Sequence, residues 1–397
     1  MDLLYISKYQ FKKYDEKTYA LPAYGNHFWE KYLGVFDRVN VLAEEVKGYL
    51  DNGTLSEITD NRVFVDILPR NTAPKEFIND RVIKAELEKR IRVADAILIK
   101  PASRKGIMAI KIAEEYNKPY MIEITGDLFL TLKNNPSFLK RLYNPFLHRQ
   151  ILRAIKNCEF GLYVTEDYLQ RVYPIAGKQC GCTDTVLPYI SEESLNRRLQ
   201  KIDRMQTQDE VKVGMVASYH DSRKGLDTAI KALGLIEDKH VVLHVIGLGT
   251  EEDRTKWYDY AERYKVEDRL KFDQSLSSVE HVLNWNDHVD VCILPSRSEG
   301  LPRCIVESIS RACPCIVSNV CGMPELVDKH WVHEPNDYEH LAKLIKELLD
   351  DKERMKIVAA HNFERSKKYE FNLLQSKRNS FLTEFKEYCQ KYKRGND

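Results

Sequence analysis

Val289-Asp-Val-Cys-Ile-Leu-Pro-Ser-Arg-Ser-Glu-Gly-Leu-Pro-Arg-Cys-Ile-Val-Glu307 is the stretch on which the fold turns. An apolar run ending at Pro295 leads into the polar loop Ser296 to Pro302 and then into a helical pattern from Arg303 to Ala312. Strand, loop and helix in that order are the repeating unit of a parallel sheet, and such sheets bind ligands beyond the carboxyl ends of their strands. The turn of Gly300, Leu301, Pro302 and Arg303 opens the helix toward an anion, and a diphosphate suits that position. Glu299 in the loop can accept hydrogen bonds from sugar hydroxyls. Glu307, one turn past Arg303, can accept from a second diol such as a ribose. A plainer reading competes: Glu307 has Arg303 and Arg311 at i,i+4 spacing and could be an ion-paired helix residue, with Glu299 an ordinary polar loop residue. The spacing of the two glutamates alone favours the plainer reading.

Outward from this stretch, short apolar runs alternate with longer helical patterns. Val211–Val216, Val241–Ile246, Leu270–Phe272 and Pro314–Ser318 read as companion strands in the second half. In the first half the strands are Asp2–Ser7, Val39–Ala43, Arg62–Leu68, Ala96–Lys100, Tyr120–Ile124 and Gly161–Val164. A chain of 397 residues is too long for one ordinary core, so two α/β domains are expected. Their bounds are 1–190 and 205–370, joined through the charge-rich stretch Tyr189 to Glu210, which shows no clear apolar stripe. Tyr338–Asp350 and Phe371–Tyr392 both read as amphipathic helices.

Sixty-one basic against sixty acidic side chains exclude a chain-wide nucleic-acid binder. No run approaches the roughly 18 apolar residues that span a bilayer, and Met1 to Gln10 has no signal-peptide features, so the cytoplasm is the default compartment. Nine cysteines read as reduced thiols, with Cys292, Cys313 and Cys315 as small core residues. Cys180-Gly-Cys182 and Cys313-Pro-Cys315 have no partners at zinc spacing. His27, His148, His220, His281 and His288 give no two-His-plus-carboxylate pattern, and His244 lies inside a strand. There is no Asp-x-Asp to carry a divalent ion, so no metal and no other cofactor is expected. Gly247-Leu-Gly249 lacks the third glycine of a dinucleotide fingerprint, which discounts a nicotinamide dehydrogenase.

Extended to Val327, the run from Pro295 closely resembles the donor-binding signature of glycosyltransferase family 4, whose members are retaining enzymes of GT-B fold. Val213-Gly-Met-Val-Ala-Ser-Tyr-His-Asp-Ser-Arg-Lys-Gly225 is similar to that family's first strand and loop in the C-terminal domain, and Val245-Ile-Gly-Leu-Gly-Thr-Glu251 to its second. The resemblance implies two doubly wound, Rossmann-like domains facing a central cleft. The nucleoside diphosphate sugar would lie on the C-terminal one, and the helix of residues 371–397 would return to the first. It implies that Glu299 contacts the donor sugar, that Glu307 holds the ribose and that Lys224 holds the diphosphate. The family's arginine position falls near Ser218 or Tyr219, and Arg223 is the substitute. Two cations beside a glycine would neutralise a pyrophosphate leaving group, although a solvated loop pair is the alternative. The resemblance also places Gly247 in the same donor site.

The first half resembles the family less specifically. Lys8 to Lys31 reads as a long polar connection containing Ala23-Tyr-Gly-Asn-His27, and Gly25 is the equivalent of a glycine that approaches the donor phosphates. Tyr120-Met-Ile-Glu-Ile-Thr-Gly-Asp-Leu128 places Gly126 and Asp127 where many members carry a histidine, as in a subgroup of bacterial polysaccharide glycosyltransferases. Asp127 either orients a hydroxyl during transfer or caps the next helix. From Leu128 to Cys158 there is no acidic residue. The basic and apolar side chains of 133–156 suit an anionic membrane surface or a lipid-linked acceptor as well as a solvated helix pair. The expected activity is a retaining hexosyl transfer from a nucleotide sugar, UDP by resemblance, to a glycan or lipid-linked saccharide in bacterial surface polysaccharide synthesis. A noncatalytic GT-B binding subunit is the alternative.

Overall fold

The computed structural model describes the chain except for residues 22–23, 47–54, 72–73, 136, 186, 188, 274–277 and 397. It divides into two units, one of residues 1–128, 142–182 and 374–397, the other of residues 129–141 and 183–373. The segment 129–141 therefore groups with the second unit, inside what the sequence reading assigned wholly to the first.

In the first unit the strands are β1 (Leu3–Tyr14), β2 (Lys17–Ala20), β3 (Val39–Glu45), β4 (Ser56–Glu57), β5 (Val63–Leu68), β6 (Ala96–Ile99), β7 (Tyr120–Ile124), β8 (Phe160–Tyr163) and β9 (Lys178–Gly181). The order β5-β3-β1-β6-β7-β8-β9 is parallel throughout. Antiparallel β2 and β4 extend it from the far half of β1. The expected polar connection after Ser7 is thus a strand and hairpin as far as Ala20. Its residues alternate polar and apolar without a continuous hydrophobic run, which hid the strand. Of the loop quoted around Gly25, Ala23 lies outside the described residues.

The second unit holds β10 (Val211–Val216), β11 (Val241–Ile246), β12 (Leu270–Phe272), β13 (Val291–Leu294), β14 (Cys315–Ser318) and β15 (Val332–His333), parallel in the order β12-β11-β10-β13-β14-β15. All six residues of β11 and all four of β13 are buried, as continuous apolar runs of a sheet covered on both faces must be. Each sheet reverses its strand order once, between β1 and β6 in the first unit and between β10 and β13 in the second. At such a reversal the loops part to leave a crevice.

The expected linker is also corrected. Glu192–Arg204 is a helix of the second unit, with Ser194, Arg198 and Ile202 on its buried face. Arg198 donates to the carbonyls of Asn286 at 2.7 Å and Arg311 at 3.3 Å, and also to that of Val289. A buried face built on a satisfied arginine leaves no apolar stripe to read.

Candidate functional site

The carboxyl ends of β10 and β13 meet by backbone contact. Gly225 follows β10 with φ of +78°, and a Cβ there would stand 2.0 Å from the carbonyl oxygen of Pro295 at the end of β13. Only glycine fits both the left-handed conformation and the approach. Gly247, after β11, is as tightly placed, since a Cβ would lie 1.9 Å from the Ala217 carbonyl oxygen. The loops after three strands are thereby drawn together at the reversal of the second sheet.

Lys224 and Glu299 sit on two of these loops. Lys224 Nζ donates to Glu299 Oε1 at 2.7 Å, and Ser296 Oγ donates to the same oxygen at 2.8 Å. Burial alone would lower the pKa of Lys224, but Glu299 and then Cys304 raise it to a net upward shift, so the ammonium stays charged. Burial pushes the nearby Cys304 thiol far up, more than Lys224 pulls it down, and keeps it protonated and unreactive.

The helix Arg303–Ser310 begins at Pro302, with no side chain capping it. Among the described residues, no protein atom accepts from the amides of Gly300, Leu301, Arg303 or Cys304. Four open donors at a positive helix end, with Lys224 alongside, are suited to an anion. One turn on, the half-buried carboxylate of Glu307 has no hydrogen bond or ion pair among the described residues. Burial raises its pKa and Arg303 offsets this in part. The alternative pairing with Arg311 is not made, because the Arg311 fork lies on Asp287 at 2.7 Å and 2.5 Å.

Arg223 is committed to its own loop. Its half-exposed guanidinium lies in a two-point contact on Asp221, at 2.9 Å and 2.8 Å. Tyr219, near the family's arginine position, is buried with its ring 4.7 Å from that of Phe272.

Sequence reasoning gave Arg297 no role. Its guanidinium contacts Asp227 at 2.9 Å and 2.6 Å, the Ser222 carbonyl at 2.6 Å and Asn336 Oδ1 at 2.6 Å. Its own amide donates to the Arg223 carbonyl at 2.7 Å. One side chain thus ties the loops after β10, β13 and β15. The 129–141 segment adds to this: Asn134 donates to the Arg297 carbonyl at 2.8 Å, and the Thr131 and Ser298 hydroxyls lie 3.0 Å apart. All these partners are far from Arg297 in sequence, so no local pattern announces them.

Two candidates lie on the first unit. Gly25 is the N-cap of the helix Asn26–Leu33, with φ of −68° that any residue could adopt. Asp127 is buried, with its two oxygens accepting from the hydroxyls of Tyr168 and Tyr173, each at 2.8 Å. The His148 ring packs on Tyr173 at 5.3 Å, and burial lowers its pKa against the pull of Asp127. The nine cysteines are free thiols, and no group of three or more possible metal ligands occurs among the described residues.

Residues 199–364 match the family described as Glycosyl transferases group 1. Protein CapJ of Staphylococcus aureus is 27% identical over 390 residues, covering 97% of this chain and 96% of CapJ. An Escherichia coli UDP-Gal:alpha-D-GlcNAc-diphosphoundecaprenol alpha-1,3-galactosyltransferase is 33% identical over 90 residues, 20% of this chain and 23% of the relative. The crystal structure of Anabaena Alr3699/HepE in complex with UDP-glucose superposes with a TM-score of 0.65 at 14% identity, covering 97% of this chain and all of that one, 100%. That likeness is one of fold, and the fold is GT-B.

Proposed function

The chain is a glycosyltransferase of GT-B fold, and from that premise we propose that it transfers a hexosyl group from a UDP-sugar to a saccharide hydroxyl with retention of configuration. The observation that carries the reading is the arrangement on the second unit. An anion-ready helix end beside Lys224 is flanked by Glu299 on one side and by the unpartnered Glu307 on the other. Glu299 takes the sugar hydroxyls, the amides of Gly300, Leu301, Arg303 and Cys304 with Lys224 take the diphosphate, and Glu307 takes the ribose diol. The UDP assignment draws support from HepE, which was crystallised with UDP-glucose, and from the E. coli relative, which is named for UDP-Gal.

In this reaction the bond from the anomeric carbon to the diphosphate oxygen breaks, and the acceptor oxygen bonds to the same carbon on the same face. The acceptor proton passes to the departing phosphate. Lys224 and the helix amides stabilise the charge that grows on the leaving group, which is the term such catalysis depends on most. They supply that charge without a divalent ion. Gly247 lets the loop after β11 close on the site. Gly25 and Asp127 belong to the first unit's share of the reaction, with Asp127 held by its tyrosines for a positioning role.

The acceptor is a glycan or lipid-linked saccharide of bacterial surface polysaccharide synthesis, in keeping with relatives in Salmonella typhimurium and Escherichia coli that are named for colanic acid biosynthesis. The enzyme meets its acceptor at the cytoplasmic face of an anionic membrane. What supports this is the helix Phe138–Ile155, whose Phe138, Leu139, Leu142 and Phe146 are exposed among basic side chains. No helix among the described residues is long and apolar enough to cross a membrane.

UDP release from UDP-glucose and UDP-galactose, with UDP binding in parallel, tests the donor reading. Glu299→Ala is expected to abolish turnover with nucleotide affinity largely intact. Glu307→Ala should weaken UDP binding about tenfold or more, the loss of hydrogen bonds to a charged acceptor. Wild-type behaviour by both variants would overturn the reading, and UDP binding without any turnover by the wild type would favour the noncatalytic alternative.

A further inference from the structure

The first sheet has its own reversal of strand order, between β1 and β6, and the side chains at that crevice are charged. β1 pairs with β6 over Leu3 to Ile6 and then shifts register against β3 between Ile6 and Gln10. The residues Ser7, Lys8 and Tyr9 form a bulge there, and bulges re-aim side chains beside binding sites. Lys8 is exposed and has neither a hydrogen bond nor an ion pair among the described residues. Across the crevice, Lys100 follows β6, its amide bonded to the Ile6 carbonyl at 2.9 Å.

Beneath these two, cations outnumber carboxylates among the described residues. Glu123, 2% exposed, is shared by Lys31 at 3.6 Å and Lys100 at 3.2 Å, and also accepts from the hydroxyls of Tyr5 and Tyr32. Glu44, 1% exposed, is shared by Lys105 at 3.4 Å and Arg70 at 3.9 Å, and Arg70 also reaches Glu76 at 3.8 Å. Among the described residues four cations share these three carboxylates, and Lys8 is a fifth, within the fields of Glu44 and Lys100. Burial drives the pKa of Lys105 down to about 8 against the pull of Glu44. An excess of poorly solvated positive charge at the mouth of a crevice is costly until an anion enters it.

We propose that the Ser7 to Tyr9 bulge and the end of β6 form an anion subsite in which Lys8 and Lys100 receive a phosphate or diphosphate group carried by the acceptor. The assignment to the acceptor rests on the donor reading above, which places the UDP diphosphate on the second unit. The class of acceptor is thereby narrowed to a phosphorylated saccharide, free or attached to a lipid through its diphosphate. Charge-assisted contacts from two ammonium groups hold such a group without fixing the saccharide beyond it.

The test titrates the full chain with inorganic pyrophosphate in saturating UDP. The wild type is expected to bind pyrophosphate alongside UDP. Lys8→Ala should weaken that binding about tenfold or more and leave UDP affinity unchanged, with Lys8→Arg restoring most of it. Lys8 is exposed and unpaired, so its replacement leaves the fold intact, whereas Lys100 is tied to buried Glu123. Pyrophosphate that only competes with UDP, together with weaker UDP binding by Lys8→Ala, would move the subsite to the donor's own phosphates and overturn the acceptor assignment. Equal pyrophosphate binding by wild type and Lys8→Ala, or none by either, would overturn the subsite itself. UDP affinity reports on the donor reading separately, because the comparison between wild type and Lys8→Ala stays readable whether or not UDP binds.

Discussion

Glu307 shows how an affinity is stored in one residue. Its half-buried carboxylate lacks a protein partner among the described residues, and burial raises its pKa above the usual glutamate value despite Arg303. The native state therefore holds a proton more tightly than the unfolded chain. This contribution to stability is fully present below the ordinary glutamate pKa and is lost as pH rises through the raised native one. Ligand binding has the opposite sign, since only the ionised carboxylate accepts from both ribose hydroxyls. UDP affinity should fall as pH drops through the raised pKa of Glu307, with that limb absent in Glu307→Gln. The same substitution should raise the ligand-free melting temperature at pH 8 while weakening UDP binding. A scan of melting temperature and UDP affinity against pH, for both proteins, checks the two signs together.

At the scale of the element, the donor loop is held by close backbone approach and by one arginine. Gly225→Ala has to adopt a φ of +78° and place a methyl 2.0 Å from the Pro295 carbonyl oxygen. The backbone strain alone costs of order 1–3 kcal/mol, and the clash adds to it. The urea midpoint should drop accordingly, and donor turnover with it. Arg297→Met removes the two-point contact with Asp227 and the ties to Ser222 and Asn336. Hydrogen bonds to charged groups contribute about 1.5–3 kcal/mol each when removed, so a clear loss of stability is expected. Because Lys224 and Glu299 ride on the loops that Arg297 ties, kcat for UDP release should fall further than UDP affinity. Arg297→Lys should rescue little, since a single ammonium cannot reproduce the planar fork.

For the whole molecule, a formal net charge of +1 leaves no long-range pull toward anionic surfaces, so any such attraction must be local. On the proposed membrane reading the helix Phe138–Ile155 would supply it, with Leu142 at 68% and Phe146 at 56% exposure in a segment that carries no acid. Flotation with anionic liposomes should recover the protein at low salt and lose it at high salt, as screening shortens the reach of exposed charges. A Leu142→Glu, Phe146→Glu double variant should stay with the pellet in both conditions and still bind UDP. Ligand linkage also acts on the molecule as a whole. UDP at a hundred times its dissociation constant should stabilise the chain by about 2.7 kcal/mol, readable as a thermal shift.

Strand after strand was legible along the chain, because buried parallel strands are unbroken apolar runs and β10, β11 and β12 fall on the residues expected of them. The strand, loop and helix around Glu299 were legible for the same reason. The far half of β1 and the helix Glu192–Arg204 were not, since their buried faces include polar side chains that satisfy carbonyls or pair with a hairpin. Sequence by itself determined the two parallel sheets, the place of the anion-ready turn and the pair of glutamates beside it. Tertiary structure alone decided who pairs with whom. Arg311, one turn from Glu307, turns instead to Asp287, and Lys224 crosses from another loop to Glu299. Ion pairs are chosen by distance and burial, and both depend on segments far apart in the chain, so the open carboxylate of Glu307 appears only once the fold has closed.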